Sequence, residues 1–284
     1  MVIDVHTHTC RGRWSMGNAI TMSADQMVNR MDKMGVDMSV LLPLESPESF
    51  PEYFLTAEAL EDWKKYPERF IPFGVIDPRN SVNKRMLLER MLAKGIMGFG
   101  EHKNGLAIDD PRSIELFSLA GEFDLPVMLH LDLNLCTDED GQPGMERVLK
   151  ECPNTIFMGH GPAWWAEISA DFKRASNIGY PPGKVTPGGS TERLLQEYPN
   201  MYGDLSAGSG YNAISRDLDF TEGFIQRNWQ KLMLGTDYLH PWQPLPQVEF
   251  LRSFPMSDEQ REAIMGGTAE KVILKDKHLH TKKR

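Results

Sequence analysis

The sequence has 284 residues, 40% hydrophobic and 25% charged, with a formal net charge of −9. That composition suits one sizeable globular core, and the acidic balance argues against a nucleic-acid partner, which needs a positive surface to track phosphates. Cys10, Cys136 and Cys152 are too few and too scattered for a disulfide framework, and no stretch approaches the roughly 18 apolar residues of a membrane helix.

Strand-like sequence begins at Val2, with no basic and then apolar leader ahead of it, so a cytoplasmic protein is the expectation. The first strand, VIDVH (2–6), runs into His6 and His8, one residue apart. Two readings of that pair stand side by side: surface histidines on a frayed terminus, or two ligands aimed at one metal.

After CRGRW, the segment SADQMVNRMDKMG predicts a helix. Ser23 is its N-cap, with Gln26 three residues on, Met27, Met31 and Met34 on one face, and Gly35 as the stop. Further strands follow at VDMSVLLPL (36–44), FIPFGVI (70–76), IMGFGEH (96–102), PVMLHLD (126–132), TIFMGHG (155–161), MYGDLSA (201–207) and KLMLGTDY (231–238). Several are near-continuous apolar runs, as parallel strands covered on both faces require. Helical patterns lie between them, from Ser81 to Gly95 and again in DPRSIELFSLAGEFDLP, where Asp110 caps and Pro111 opens the first turn. The methionine stripes read as core-facing helix surfaces.

Eight strands alternating with helices predict an α/β fold, a closed (β/α)8 or TIM barrel, as a single domain over residues 1–275. The stretch NIGYPPGKVTPGGS predicts an extended loop after the sixth strand, with the helix STERLLQEY only afterwards. The basic tail over residues 276–284 contains a second His-x-His, His278 and His280, with no strand before it, and reads as a decoy.

Catalytic groups in such a barrel sit at the C-terminal ends of the strands. Those ends carry His6 and His8, Glu101, His130, His160 and Asp237, so four of the chain's eight histidines share one rim. Alternation points Asp4, His6 and His8 to the same side. That convergence favours the metal reading of the opening pair. Imidazole and carboxylate ligands suit zinc, manganese, iron or nickel rather than a thiolate site.

Taken in order, IDVHTH, GFGEHKNG, LPVMLHLD, FMGHGP, YGDLSAGSG, LGTDYLHP and IMGGTAEKVI resemble the metal-dependent hydrolases of the amidohydrolase superfamily. The likeness is to the amidohydrolase-2 group, which also contains decarboxylases. It spans nearly the whole chain and is specific for fold and metal site, and weakly specific for substrate. The resemblance implies that His6 and His8 hold the more buried metal, and His130 and His160 the outer one. It also implies that Asp237 touches the inner metal and acts as base toward an activated water. At the fourth strand many two-metal members have a carboxylated lysine; this chain has Glu101, similar to the bridging glutamate of TatD-like deoxyribonucleases. Lys103 shares the parity of Glu101 and is the alternative bridge. His102, of opposite parity, reads as a structural histidine. If Glu101 were only an axial carboxylate paired with Lys103, the site would hold one metal and free His160 as a general acid or base.

The function expected is a metal-dependent hydrolase of a small polar or carboxylate-bearing substrate, an amide, lactone or ester, with zinc first among the metals and two ions ahead of one. Asp237 and His160 are the catalytic candidates. A non-oxidative decarboxylase on the same barrel is the alternative. A catalytically silent barrel and a TatD-like nuclease rank lower, the latter because of the acidic charge. Arg11 and Arg13 are candidate forks for a substrate carboxylate or phosphate. Trp164 and Trp165 are candidates for a pocket wall or for helix packing. Tyr180, Lys184 and His240 are weaker candidates, and Asp204 and Ser206 are available to orient groups. Neither nucleic acid nor membrane is an expected partner; a homodimer is compatible with the resemblance, since such barrels often pair.

Overall fold

Short apolar runs bounded by turn residues become the strands of a barrel. The computed structural model describes residues 1–15, 18–49 and 53–275, with residues 12–15 and 18–20 described by backbone alone. The tail over residues 276–284, with His278 and His280, lies outside the described residues. In chain order the strands are β1 (Ile3–Thr7), β2 (Cys10–Ser15), β3 (Asn18–Met22), β4 (Met38–Leu41), β5 (Phe70–Gly74), β6 (Gly98–His102), β7 (Val127–His130), β8 (Phe157–His160), β9 (Met201–Asp204) and β10 (Leu232–Met233). β1 and then β4 to β10 form an eight-stranded parallel sheet in chain order. Its two edges meet: Val5 N donates to Leu234 O at 2.9 Å and Asp237 N to His6 O at 2.8 Å, and Thr7 bridges Tyr238 in parallel. The result is a nearly closed (β/α)8 barrel.

The helices are α1 (Ala24–Met34), α2 (Thr56–Lys65), α3 (Lys84–Lys94), α4 (Pro111–Glu122), α5 (Pro143–Glu151), α6 (Pro162–Ala166), α7 (Ser190–Glu197), α8 (Ala207–Ser215), α9 (Leu218–Asn228), α10 (Pro246–Ser253) and α11 (Asp258–Glu262). Around α1 the local code holds: Ser23 Oγ accepts from Gln26 N, Gln26 Oε1 accepts from Ser23 N, and Gly35 ends the helix at φ +63°. Met27 and Met31 are buried beneath it. Among the described residues no helix is long and apolar enough to cross a membrane.

Three local expectations change. The second helical pattern does not begin at Ser81; Asn83 caps α3 by accepting from Met86 N at 3.0 Å. CRGRW, to which the sequence reading assigns no element, lies in β2, which pairs antiparallel with β3, Arg13 opposite Ile20. The sixth strand is followed at once by the five-residue α6, and the long irregular stretch comes after it.

The apolar floor and the polar rim arise from one alternation. Met128 and Met158 precede His130 and His160 by two residues and share their faces. Both are fully buried in a cluster with Ile71, Phe73 and Met233. His130 and His160 are direct partners in the β7–β8 register. Gly161 makes that pairing possible: its φ is +109°, and a Cβ there would lie 2.3 Å from Leu131 O. Gly161→Ala is therefore expected to cost at least about 2 kcal/mol from the backbone conformation and the clash together. Urea unfolding of the two proteins checks it; equal midpoints and slopes would disprove the packing argument.

Candidate metal centre

β1 delivers His6 and His8 to one side, and each ring is fixed at Nδ1. His6 Nδ1 donates to Asp204 Oδ2 at 2.7 Å. His8 Nδ1 donates to Leu42 O at 2.7 Å. A carbonyl only accepts, so the His8 proton sits on Nδ1, and the carboxylate selects the same tautomer for His6. Both Nε2 lone pairs then face one another at 3.2 Å.

Two carboxylates join them. Glu101 Oε2 lies 3.4 Å from His6 Nε2 and 3.5 Å from His8 Nε2. Asp237 Oδ1 lies 3.6 Å and 3.3 Å from the same two atoms. Two bare imidazole lone pairs and two anionic oxygens repel one another unless a positive charge sits between them. Ligands held at about 2.0–2.2 Å in a tetrahedron stand roughly 3.3–3.6 Å apart, the spacing seen here. The donor set thus fits a divalent cation.

The electrostatics agree. Burial opposes a charge on His6, yet Asp204, Asp237 and Glu101 outweigh it and hold the ring well above its ordinary value. Burial likewise opposes ionisation of Glu101 and Asp237, but His6 above all keeps both well below the usual carboxylate range. The pocket is anionic at its centre and stabilises whatever positive charge it can hold.

A second group of donors adjoins the first. The other oxygen of Glu101, Oε1, lies 2.7 Å from His130 Nδ1. Donor atoms of Glu101, His130 and His160 fall within 4.8 Å of one another, as do those of His6, His160 and Asp237. Glu101 thus faces the His6–His8 pair with one oxygen and His130 with the other. β6 presents it through a break in register between Phe99 and His102. Asp237 adopts φ +53°, a left-handed conformation that aspartate tolerates better than most residues, and this turn re-aims its carboxylate just past the last strand.

Around these donors lies a layer of orienting groups. His160 Nδ1 is 2.6 Å from Ser206 Oγ, which donates to Asp204 Oδ2 at 2.6 Å. Asp132 Oδ2 accepts from His130 Nε2 at 3.0 Å. Burial opposes its charge, but the bond to His130 and two backbone amides hold it at about 2. Thr236 Oγ1 donates to the fully buried Asp4 at 2.6 Å, and burial pushes Asp4 up to about 7. Asp132 had gone unremarked in the sequence, although its position two residues beyond His130 places it on the same face.

The remaining sequence candidates are placed differently. Arg11 is committed to Asp62, with nitrogens at 2.7 and 3.1 Å. The side chain of Arg13 lies outside the described residues. Trp164 is fully buried, and its ring packs over Gly159, so it supports β8 from behind rather than walling a pocket. Trp165 is also buried and donates from Nε1 to Asp204 O at 2.8 Å. His102 turns away from the rim toward Ser113 and Phe117 of α4, and burial brings it down to about 4. Lys184 stands at the surface, 3.5 Å from Asp219. His240 packs on Trp242 with ring centroids 4.9 Å apart. Tyr180, half exposed in the long loop, has its hydroxyl pushed up by burial and by the charges of Asp237 and Asp132.

A family model described as Amidohydrolase matches residues 3–273. No curated protein matches the chain. Solved structures of the same fold include a probable 2-pyrone-4,6-dicarboxylic acid hydrolase from Acinetobacter baumannii with citric acid bound. It is 12% identical, with a TM-score of 0.64, and the match covers 96% of this chain and 98% of that one. A 5-carboxyvanillate decarboxylase from Sphingomonas paucimobilis is 16% identical, with a TM-score of 0.59 and the same 96% and 98% coverage. A dihydroxybenzoic acid decarboxylase from a Polaromonas species, with bound manganese and the inhibitor 2-nitroresorcinol, is 15% identical, with a TM-score of 0.53 over 88% of this chain and 85% of that one.

Proposed function

Because the chain belongs to the amidohydrolase family, we propose that it is a metal-dependent hydrolase that opens an ester, amide or lactone bond in a small carboxylate-bearing substrate. The observation that carries this reading is the double engagement of Glu101, with Oε2 toward His6 and His8 and Oε1 toward His130. A carboxylate shared in that way suits two cations rather than one. Zinc or manganese fits the donors; the Polaromonas neighbour holds manganese.

When bound, the cations acidify a water and polarise the substrate carbonyl. The protein's own part is to place and move protons. His6, His8, Glu101 and Asp237 would hold the inner position, and Glu101, His130 and His160 the outer one. Asp237 takes the proton of the attacking water on its free oxygen. It then passes that proton to the leaving group. Citrate in the Acinetobacter neighbour supports a carboxylate-bearing substrate for this chain too.

A non-oxidative decarboxylase is the second reading, favoured by the fold shared with the two decarboxylases. One experiment separates the two. The metal-loaded protein is incubated in 18O-water with carboxylated lactones, esters and amides, and in parallel with hydroxybenzoates. Incorporation of 18O into a ring-opened or cleaved product is the expected result. Release of CO2 from the hydroxybenzoates without 18O incorporation elsewhere would overturn the hydrolase in favour of the lyase.

A further inference from the structure

Ser206 occupies the N-cap position of α8, yet its hydroxyl makes no cap bond. Ser23 and Ser257, at the starts of α1 and α11, both make theirs. A serine that forgoes a cap gives up helix stabilisation that its hydroxyl could otherwise supply. Its hydroxyl is turned inward, 2.6 Å from Asp204 Oδ2 and 2.6 Å from His160 Nδ1.

A serine hydroxyl has one proton. Oδ2 of Asp204 cannot donate and already accepts from His6 Nδ1 at 2.7 Å. A contact of 2.6 Å between Ser206 Oγ and that oxygen needs the serine proton in it. His160 must therefore donate from Nδ1 to Ser206, which leaves its Nε2 as the lone pair. The chain of donors runs from His160 through Ser206 to Asp204, and from His6 to the same carboxylate oxygen. Asp204, Ser206, His6 and His160 are all essentially closed to solvent, so water does not compete for these bonds. The backbone of Asp204 is itself held by Trp165 Nε1.

We propose that Asp204 is one anchor for both cation positions, and that Ser206 is the positioning residue that extends its hold from His6 to His160. This rests on the two-cation reading above. The arrangement makes the two positions unequal in a defined way: His6 bonds Asp204 directly at 2.7 Å, whereas His160 Nδ1 stands 3.4 Å from the same oxygen and is linked to it at bonding distance through Ser206. Loss of the serine hydroxyl loosens the outer position and spares the inner one. Loss of the charge on Asp204 loosens both. Partners that orient a ligand histidine in this way are typically worth 10- to 100-fold in metal affinity.

The test uses the full chain, stripped and titrated with zinc against a chromophoric chelator. Thermal melts by circular dichroism accompany it, along with long-range 15N spectra of the histidine rings. Wild type is expected to take up two ions. In Ser206→Ala the weaker site should lose about 10- to 100-fold in affinity while the tighter site stays within about twofold. The ring pattern of His160, and not that of His6, should change. Asp204→Asn should weaken both. Ser206→Ala removes no cap bond, so its fold is expected to survive, and it carries the test even if Asp204→Asn unfolds. Two ions with both affinities unchanged in Ser206→Ala, or both weakened alike, would overturn the shared anchor and leave the two-cation reading standing. Fewer than two ions in wild type would overturn that reading, and the anchor with it.

Discussion

Glu101→Ala is expected to lower bound metal from about two ions per chain to one or fewer and to cut kcat/KM by at least about 100-fold. The lower bound follows from chemistry: partners that merely orient a ligand are typically worth 10- to 100-fold, and Glu101 is proposed as a ligand to both positions. The variant removes the carboxylate that faces His6 and His8 with Oε2 and His130 with Oε1. It also removes the contact of His130 Nδ1 with Oε1, so that Asp132, bonded to Nε2, alone orients the ring. Glu101→Gln sharpens the result. It keeps the shape and one oxygen and loses the charge, so metal loss in both variants assigns the effect to charge and ligation rather than to a cavity. Metal content is read by plasma mass spectrometry on protein made without a polyhistidine tag. Two ions retained in Glu101→Ala would refute the bridging role.

How far the site was legible in the sequence follows from the range of the interactions involved. Alternation in a strand is a local property, and an extended segment running through His6 to His8 needed nothing else to place two rings on one side. The same holds for the strands, whose apolar runs and bounding turns lie within a few residues of each other. Glu101 is a subtler case. The register breaks between Phe99 and His102, so parity counted along β6 alone gave the right face for Glu101 and His102 without the irregularity that presents them. Arg11 shows where local reading stops. Its partner Asp62 lies 51 residues away on α2, and nothing near Arg11 announces that its fork is already occupied. Trp164 stands between two readings for a related reason. A tryptophan just past a catalytic strand suits a pocket wall or a core equally, and only the turn of α6 carries it inward over Gly159. The role of Asp204 depends on contacts with His6, 198 residues away, and with a serine that a local reading would assign to the cap of α8.

Asp237→Asn is expected to leave a folded, metal-loaded barrel with turnover reduced about 10²- to 10⁴-fold, the contribution typical of a positioned acid–base group and equal to about 3–5 kcal/mol of barrier. Three features make this substitution a clean probe. Asparagine is among the few residues that accept a left-handed conformation comfortably, so φ +53° at this position is not newly strained. The bond from the backbone nitrogen to His6 O, which helps close the barrel, does not involve the side chain. The amide oxygen still faces His6 and His8, so much of the inner site is retained. What disappears is the capacity to take up a proton and return it. Asp237→Ala, by contrast, is expected to lose metal as well as turnover, because it removes the oxygen 3.3 Å from His8 Nε2 and 3.6 Å from His6 Nε2. Comparing kcat of the two variants at matched metal content separates proton transfer from ligation. Undiminished turnover in Asp237→Asn at full metal loading would remove Asp237 as the base and move that role to His160, whose Nδ1 is tied to Ser206 and whose Nε2 faces the same pocket.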